Sequence, residues 1–323
     1  MRYKSKKEAK EWSMKEFRGK ICTTIPTFFK NDERKSIDED SIRKMCKHAV
    51  ALKPGGMLAL GNVGEFFSLT IQERKQVAEI VVDEIKGRIP VFIQTATTCA
   101  EDCIELSLHA QNIGADVVCL LAPYFQAKSE RAVSEWFQYV TGKFDIAAVL
   151  YNSPLSYPLS HMFMAKICDE IDNFIGIKNG VTDLMECREV EKLNNRIWVS
   201  DPEEAHWFDE YQVMENPVLF CSWVVYFYQT LEYRPIQDYT DLLLAGKVKE
   251  AKAISDKLDP HRAFMFQLFK ISYNKGIYPI SLFKHWLRFY GLPGGPVRTP
   301  LTEASPEEVQ WLKSELIRIG LMQ

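Results

Sequence analysis

From about residue 20 the chain alternates between two hydrophobic patterns. Short apolar or β-branched runs predict eight strands: ICTTIPTFF (21–29), GMLALG (56–61), VFIQTA (91–96), DVVCLLAP (116–123), AAVLYN (147–152), FIGIKN (174–179), RIWVSD (196–201) and PVLFCS (217–222). Longer segments with helical periodicity lie between them, near 38–52, 70–86, 100–113, 129–142, 160–170, 184–192 and 203–211. Thr70 with Glu73 three residues on forms a capping-box signature, and Ser129 and Ser160 are candidate N-caps. Strands recurring every 20 to 35 residues with helical crossovers fit a parallel barrel or an open doubly wound sheet. No Gly-x-Gly-x-x-Gly opens the first helix, which disfavours a dinucleotide-binding sheet. Beyond about residue 233 strand patterns disappear and helical ones dominate, interrupted by a rigid loop, GLPGGPVRTPL (291–301). The expected architecture is α/β: a (β/α)8 TIM barrel over 20–232, an N-terminal helical extension over 1–19 and a C-terminal helical region over 233–323.

Composition narrows the partners. The 323 residues are 46% hydrophobic, enough for one large core or two ordinary ones. Net charge is −3 and no basic stripe points to nucleic acid. No apolar run reaches membrane-spanning length. The first twenty residues are polar and basic, without the apolar stretch of a secretory signal, so a cytoplasmic protein is expected. Eight scattered cysteines include no Cys-x-x-Cys pair and read as reduced, mostly buried thiols. Six dispersed histidines offer no zinc-binding spacing. Neither a metal nor another cofactor is expected.

The chemistry of a barrel gathers at the C-terminal ends of its strands. Lys178 stands out there, inside the otherwise apolar FIGIKNG. Burial lowers a lysine pKa, and a neutral amine can attack a ketone to form an imine, an electron sink for a neighbouring carbanion. The alternative is a lysine that reaches solvent or pairs with Asp201 or Glu203. Tyr151 ends the preceding strand, close enough to shuttle a proton or simply to pack. The turn Gly61-Asn62-Val63-Gly64-Glu65 is either a carboxylate cradle of exposed amides or an ordinary βα turn. Ser200 and Ser222 stand at the ends of strands seven and eight, and Asn152 follows Tyr151.

Together, GNVGE (61–65), YN (151–152) and GIK (176–178) resemble the motifs of the dihydrodipicolinate synthase / N-acetylneuraminate lyase family, in family order and over nearly the whole chain from residue 20. GEFFSLT (64–70), GIKNGVTD (176–183) and the tail 273–301 look like its 5-dehydro-4-deoxyglucarate dehydratase group. The resemblance implies a lyase in which Lys178 forms the imine and Tyr151 moves the proton. It places Asn62, Val63 and Gly64 at the substrate carboxylate, with Asn152, Ser200 and Ser222 lining the site. It also implies a small 2-oxo acid substrate and a homo-oligomer, tetramer or dimer. The chain departs from the family at several points. Asn62-Val63 replaces a pair that usually carries a relay hydroxyl. Phe125 stands where dihydrodipicolinate synthases have a tyrosine donated across a subunit interface, and Ser156 where they have an arginine. Losing that arginine disfavours lysine biosynthesis. Trp223 and Tyr226 stand where the dehydratase group has a small polar run at strand eight, and predict a pocket that is narrower or shaped for a different tail.

Three readings follow. The first is an imine-forming lyase, with sugar-acid dehydration ahead of pyruvate-type aldol cleavage or condensation. The second is a family member that binds a keto acid without turnover. The third is a metal-dependent aldolase, for which the histidines are too dispersed.

Overall fold

The computed structural model describes residues 2–322 except Lys128, Leu155, Thr182, Gly276 and Ile277. Thr182 in the lysine segment, Gly276 and Ile277 in the tail, and the terminal residues Met1 and Gln323 therefore lie outside the described residues.

Eight parallel strands form one sheet that closes almost completely on itself: β1 (Ile21–Thr24), β2 (Gly56–Ala59), β3 (Val91–Gln94), β4 (Val117–Leu121), β5 (Ala147–Asn152), β6 (Phe174–Asn179), β7 (Trp198–Ser200) and β8 (Leu219–Phe220). Each strand pairs with the next in sequence from β1 to β7, and β8 pairs with β1. The seam between β7 and β8 is held by a bridge between Val199 and Pro217 and by the Phe220 amide donating to Ser200 Oγ at 2.8 Å. This is the TIM barrel expected from the alternating pattern. Strand ends are shorter than predicted where the ladder runs out of partners. β1 stops before Pro26, which has no amide hydrogen. β8 keeps only two residues after Pro217.

The surrounding helices are α2 (Glu39–Ala51), α3 (Ile71–Ile85), α4 (Ala100–Asn112), α5 (Glu130–Thr141), α6 (His161–Glu170), α7 (Leu184–Leu193) and α8 (Trp207–Val213). The predicted start signals hold: Thr70 and Glu73 form a capping box on α3, and Ser129 and Ser160 cap α5 and α6. Preceding them, α1 (Lys6–Phe17) lies across the N-terminal end of the barrel. Ser13 Oγ donates to the carbonyl of Ile175, and Tyr3 bridges the Asp116 carbonyl and the Ala147 amide. Phe17 enters the barrel from below, its ring 5.3 Å from Phe92 and 5.8 Å from Trp198. Only glycine at 176 leaves room for that tryptophan, because a Cβ there would lie 2.2 Å from its ring.

The C-terminal region is helical, as expected: after the short α9 (Val224–Phe227) come α10 (Pro235–Leu244), α11 (Val248–Ser255), α12 (Asp259–Asn274), α13 (Ile280–Phe289) and α14 (Pro306–Arg318). It is tied to the barrel loops by two buried networks. Glu65 pairs with Lys284 at 2.6 Å, both side chains fully buried, and accepts from the Arg298 amide. Glu204 takes both Arg262 and the Tyr239 hydroxyl. Trp223 and Tyr226 belong to this outer packing rather than to the barrel mouth. Trp223 stacks 4.8 Å from Phe283, and the Tyr226 hydroxyl reaches Met57 Sδ on the outer face of β2. The narrowing predicted from these two residues is corrected: past Phe220 the chain turns into α9 and carries both rings outward.

All eight cysteines are free, and only Cys99 is exposed. Among the described residues no helix is long and apolar enough to cross a membrane, and no group of histidine, cysteine and carboxylate side chains could hold a metal ion.

Candidate active site

The barrel interior is layered. Cys22, Leu58, Phe92, Cys119, Val149, Trp198 and Phe220 share one apolar cluster with Phe17. Lys178 lies at its upper edge, paired in register with Tyr151 on β5 and Ser200 on β7. Its side chain is 5% exposed, and Nζ donates to the Phe220 carbonyl. It sits 5.2 Å from the Phe220 ring centroid and 5.4 Å from that of Tyr151. No carboxylate pairs with it among the described residues. Asp201 instead accepts from the Glu203 amide and bonds His206 Nδ1 at 2.9 Å. Burial pushes the Lys178 ammonium down to about 8, outweighing the nearby thiols and Asp201, which favour the charged form.

Burial acts on Tyr151 in the opposite sense and raises its phenol well above the ordinary value, so the hydroxyl stays protonated. That hydroxyl meets Asn62 Nδ2 at 3.4 Å and the side chain of Ser153. Ser153 therefore supplies a hydroxyl that positions 62 and 63 lack, a role not drawn from the sequence. Gly180 makes room for the phenol, since a Cβ there would lie 2.7 Å from its ring. The turn Asn62–Gly64 is a single 3-10 turn closed by the Gly64 amide on the Gly61 carbonyl. Thr27 Oγ1 pins it by donating to the Gly64 carbonyl. The amides of Asn62 and Val63 open the turn and are not used inside it.

Lys178, Tyr151 and Asn62 thus converge, with Val63 and Gly64 beside them in the turn. Ser200 is at the same level but wholly buried, and its hydroxyl is engaged with β8 and the Asp201 carbonyl. Ser222 is half-buried beyond β8, and its carbonyl accepts from Thr23. Asn152 points the other way, behind the barrel wall, where its amide donates to Asn179 Oδ1, whose own amide donates to Glu186. The mouth also holds features that sequence reasoning missed. His206 is raised by its bond to Asp201, and Glu203 is raised by burial and by Glu204. Tyr278, from the loop before α13, is within electrostatic reach of Tyr151 and Glu203. The SDPEE run (200–204) gave a signal only as a dense set of carboxylates after a predicted strand.

The sequence model of the dihydrodipicolinate synthetase family matches residues 17–318. A 4-hydroxy-tetrahydrodipicolinate synthase of Methanocaldococcus jannaschii is 27% identical over 308 residues, covering 95% of this chain and all of its own. A probable 5-dehydro-4-deoxyglucarate dehydratase of Bradyrhizobium is 27% identical over 278 residues, 85% of this chain and 84% of its own. A crystal structure of a dihydrodipicolinate synthase superposes with a TM-score of 0.79 at 26% identity, over 94% of this chain and 100% of its own. With the match running from the end of α1 to the last turn of α14, the chain belongs to the dihydrodipicolinate synthetase family of lyases.

Proposed function

We propose that the chain is a lyase that acts on a small 2-oxo acid through an imine at Lys178, with keto-sugar-acid dehydration its first reaction and pyruvate-type aldol chemistry the second. The observation that carries this reading is a lysine buried at a strand's C-terminal end, without an ion-pair partner among the described residues and lowered to about 8. About one such amine in ten is neutral at pH 7. That neutral Nζ attacks C2 of the acid, and the carbinolamine oxygen takes a proton and leaves as water. The resulting iminium draws electrons from the C3–H bond, and loss of that proton gives an enamine. In dehydration the enamine pair expels the C4 hydroxyl, which leaves as water. In the aldol direction the iminium instead takes up the electrons of the C3–C4 bond: the C4 hydroxyl loses its proton, C4 leaves as a carbonyl compound and the enamine remains on Lys178.

Tyr151 is the proton carrier in this reading, kept protonated by burial and partnered by Ser153 and Asn62. The amides of Asn62 and Val63 take the substrate carboxylate, with Gly64 closing the turn. The Ser153 hydroxyl favours turnover over a keto-acid binder that has lost its chemistry. No cofactor has a part in this chemistry. We further propose a homo-oligomer, dimer or tetramer, supported by the exposed Tyr124 and Phe125 after β4, the latter 71% exposed. Borohydride reduction in the presence of pyruvate tests the imine: the expected result is a mass increase confined to the peptide containing Lys178. Its absence, with pyruvate bound, overturns the reading.

A further inference from the structure

Alternate strands supply the four side chains of each layer inside a barrel. At the upper level the odd strands offer their last inward positions: Thr24 on β1, Gln94 on β3, Tyr151 on β5 and Ser200 on β7. Their inward phase follows from the period of two, because Cys22, Phe92, Val149 and Trp198 one step below all lie in the inner apolar cluster. The lower layer is apolar apart from the Trp198 indole nitrogen, which is also unpartnered among the described residues, whereas these four upper positions are all polar. Tyr151 and Ser200 have the partners described above. Thr24 and Gln94 do not: Thr24 Oγ1 and both Oε1 and Nε2 of Gln94 are buried without a hydrogen-bond partner among the described residues.

Gln94 is wholly buried and its backbone is fixed. Arg74 on α3 donates to the carbonyls of Gln94 and Ala96 at 2.8 and 2.9 Å, which sets the strand's phase. In register, Gln94 sits beside Cys119, whose thiol acts electrostatically on both Lys178 and Tyr151. On β3 the amide lies three strands round the wall from Lys178, with that thiol on the strand beside it. A buried amide left unbonded is costly, and a leucine of similar size would remove that cost. Its retention calls for a partner in the working state. The amide offers one kind of donor and one acceptor, and the Thr24 hydroxyl offers both. That set matches a hydroxyl, which itself donates and accepts. It suits a carboxylate poorly, since among the described residues no arginine or second lysine stands at the inward positions of this layer.

We propose that Gln94 and Thr24 form a hydroxyl-binding subsite inside the barrel mouth, so that the preferred 2-oxo acid carries a hydroxyl on the chain beyond its keto group. The proposal rests on the imine reading for the anchoring of that acid at Lys178. The test compares two six-carbon probes, 2-oxo-3-deoxygluconate and 2-oxohexanoate, which has no hydroxyl. Calorimetric affinities are measured for the native protein, Gln94→Leu and Thr24→Val, with borohydride trapping run in parallel. The native protein prefers the hydroxylated acid, and Gln94→Leu lowers that preference by about 30-fold or more, Thr24→Val by about 5-fold. Without ligand, Gln94→Leu melts no lower than the native protein, because the amide has no bond to lose.

A preference within about 3-fold of native in both variants overturns the subsite. So does a ligand-free Gln94→Leu that melts well below native, which would mean that the amide is bonded in the empty protein. The two readings fail separately. A preference that depends on Gln94, with no trapped adduct from either acid, overturns the imine and keeps the subsite. Adducts from both acids with an unchanged preference overturn the subsite and keep the imine.

Discussion

Lys178 has two properties that pull against each other. The burial that makes its amine nucleophilic also makes its ammonium costly to hold in the folded protein. With the folded value near 8 and an ordinary value of 10.5, the cost is fully present below pH 8 and fades as pH rises toward 10.5. Lys178→Met is therefore expected to abolish borohydride trapping yet stabilise the protein at pH 7 by about 3 kcal/mol. The gain shrinks between pH 8 and 10.5, which denaturant melts across that range will read. Imine formation in the native protein rises about tenfold per pH unit below 8 and levels off above it. Tyr151 depends on its partners in a different way. Ser153→Ala leaves its phenol, among the described residues, with the long contact from Asn62. The expected outcome is a fall in kcat of about 10- to 100-fold with trapping retained, measured by steady-state turnover beside adduct yield.

At the scale of elements, the site depends on how the turn after β2 is held. Glu65 follows that turn in a left-handed backbone conformation, φ 55°, and joins it to α13 through Lys284. Each partner is shifted toward its neutral form by burial and pulled back by the other. Glu65→Gln strands the ammonium of Lys284 and is expected to cost about 3–5 kcal/mol, while Glu65→Leu with Lys284→Met recovers most of the loss. Equilibrium unfolding of the three proteins checks this. The tie was not legible in the sequence, because it joins residues 219 apart. The strands and helices were legible, since apolar runs and caps are local signals. Which face of a strand looks inward was not. In a parallel barrel both faces are buried and the alternation that marks a half-exposed strand is absent. Thus Asn152, next to Tyr151, turned out to face the helices, and Gln94 passed unnoticed inside VFIQTA. Trp223 and Tyr226 misled for another reason: strand eight ends at Phe220, and both residues belong to the turn into α9.

Across the whole molecule, α1 closes the lower end of the barrel and the C-terminal helices brace its mouth, leaving the exposed Tyr124–Phe125 segment on the rim. If that segment seats against a second copy, Phe125→Asp shifts the protein toward a smaller species in analytical ultracentrifugation. An unchanged sedimentation coefficient would place the contact elsewhere. The barrel, its end-of-strand lysine and the neighbouring tyrosine were all readable from order and spacing along one chain. The choice of substrate depends on side chains that meet only when the barrel closes. Substrate choice matters only if Lys178 forms the imine, which a crystal soaked with pyruvate would reveal. Continuous density is expected from Lys178 Nζ to C2 of pyruvate, with its carboxylate on the amides of Asn62 and Val63. Pyruvate bound in the mouth with a clear break between it and Lys178 would contradict the imine.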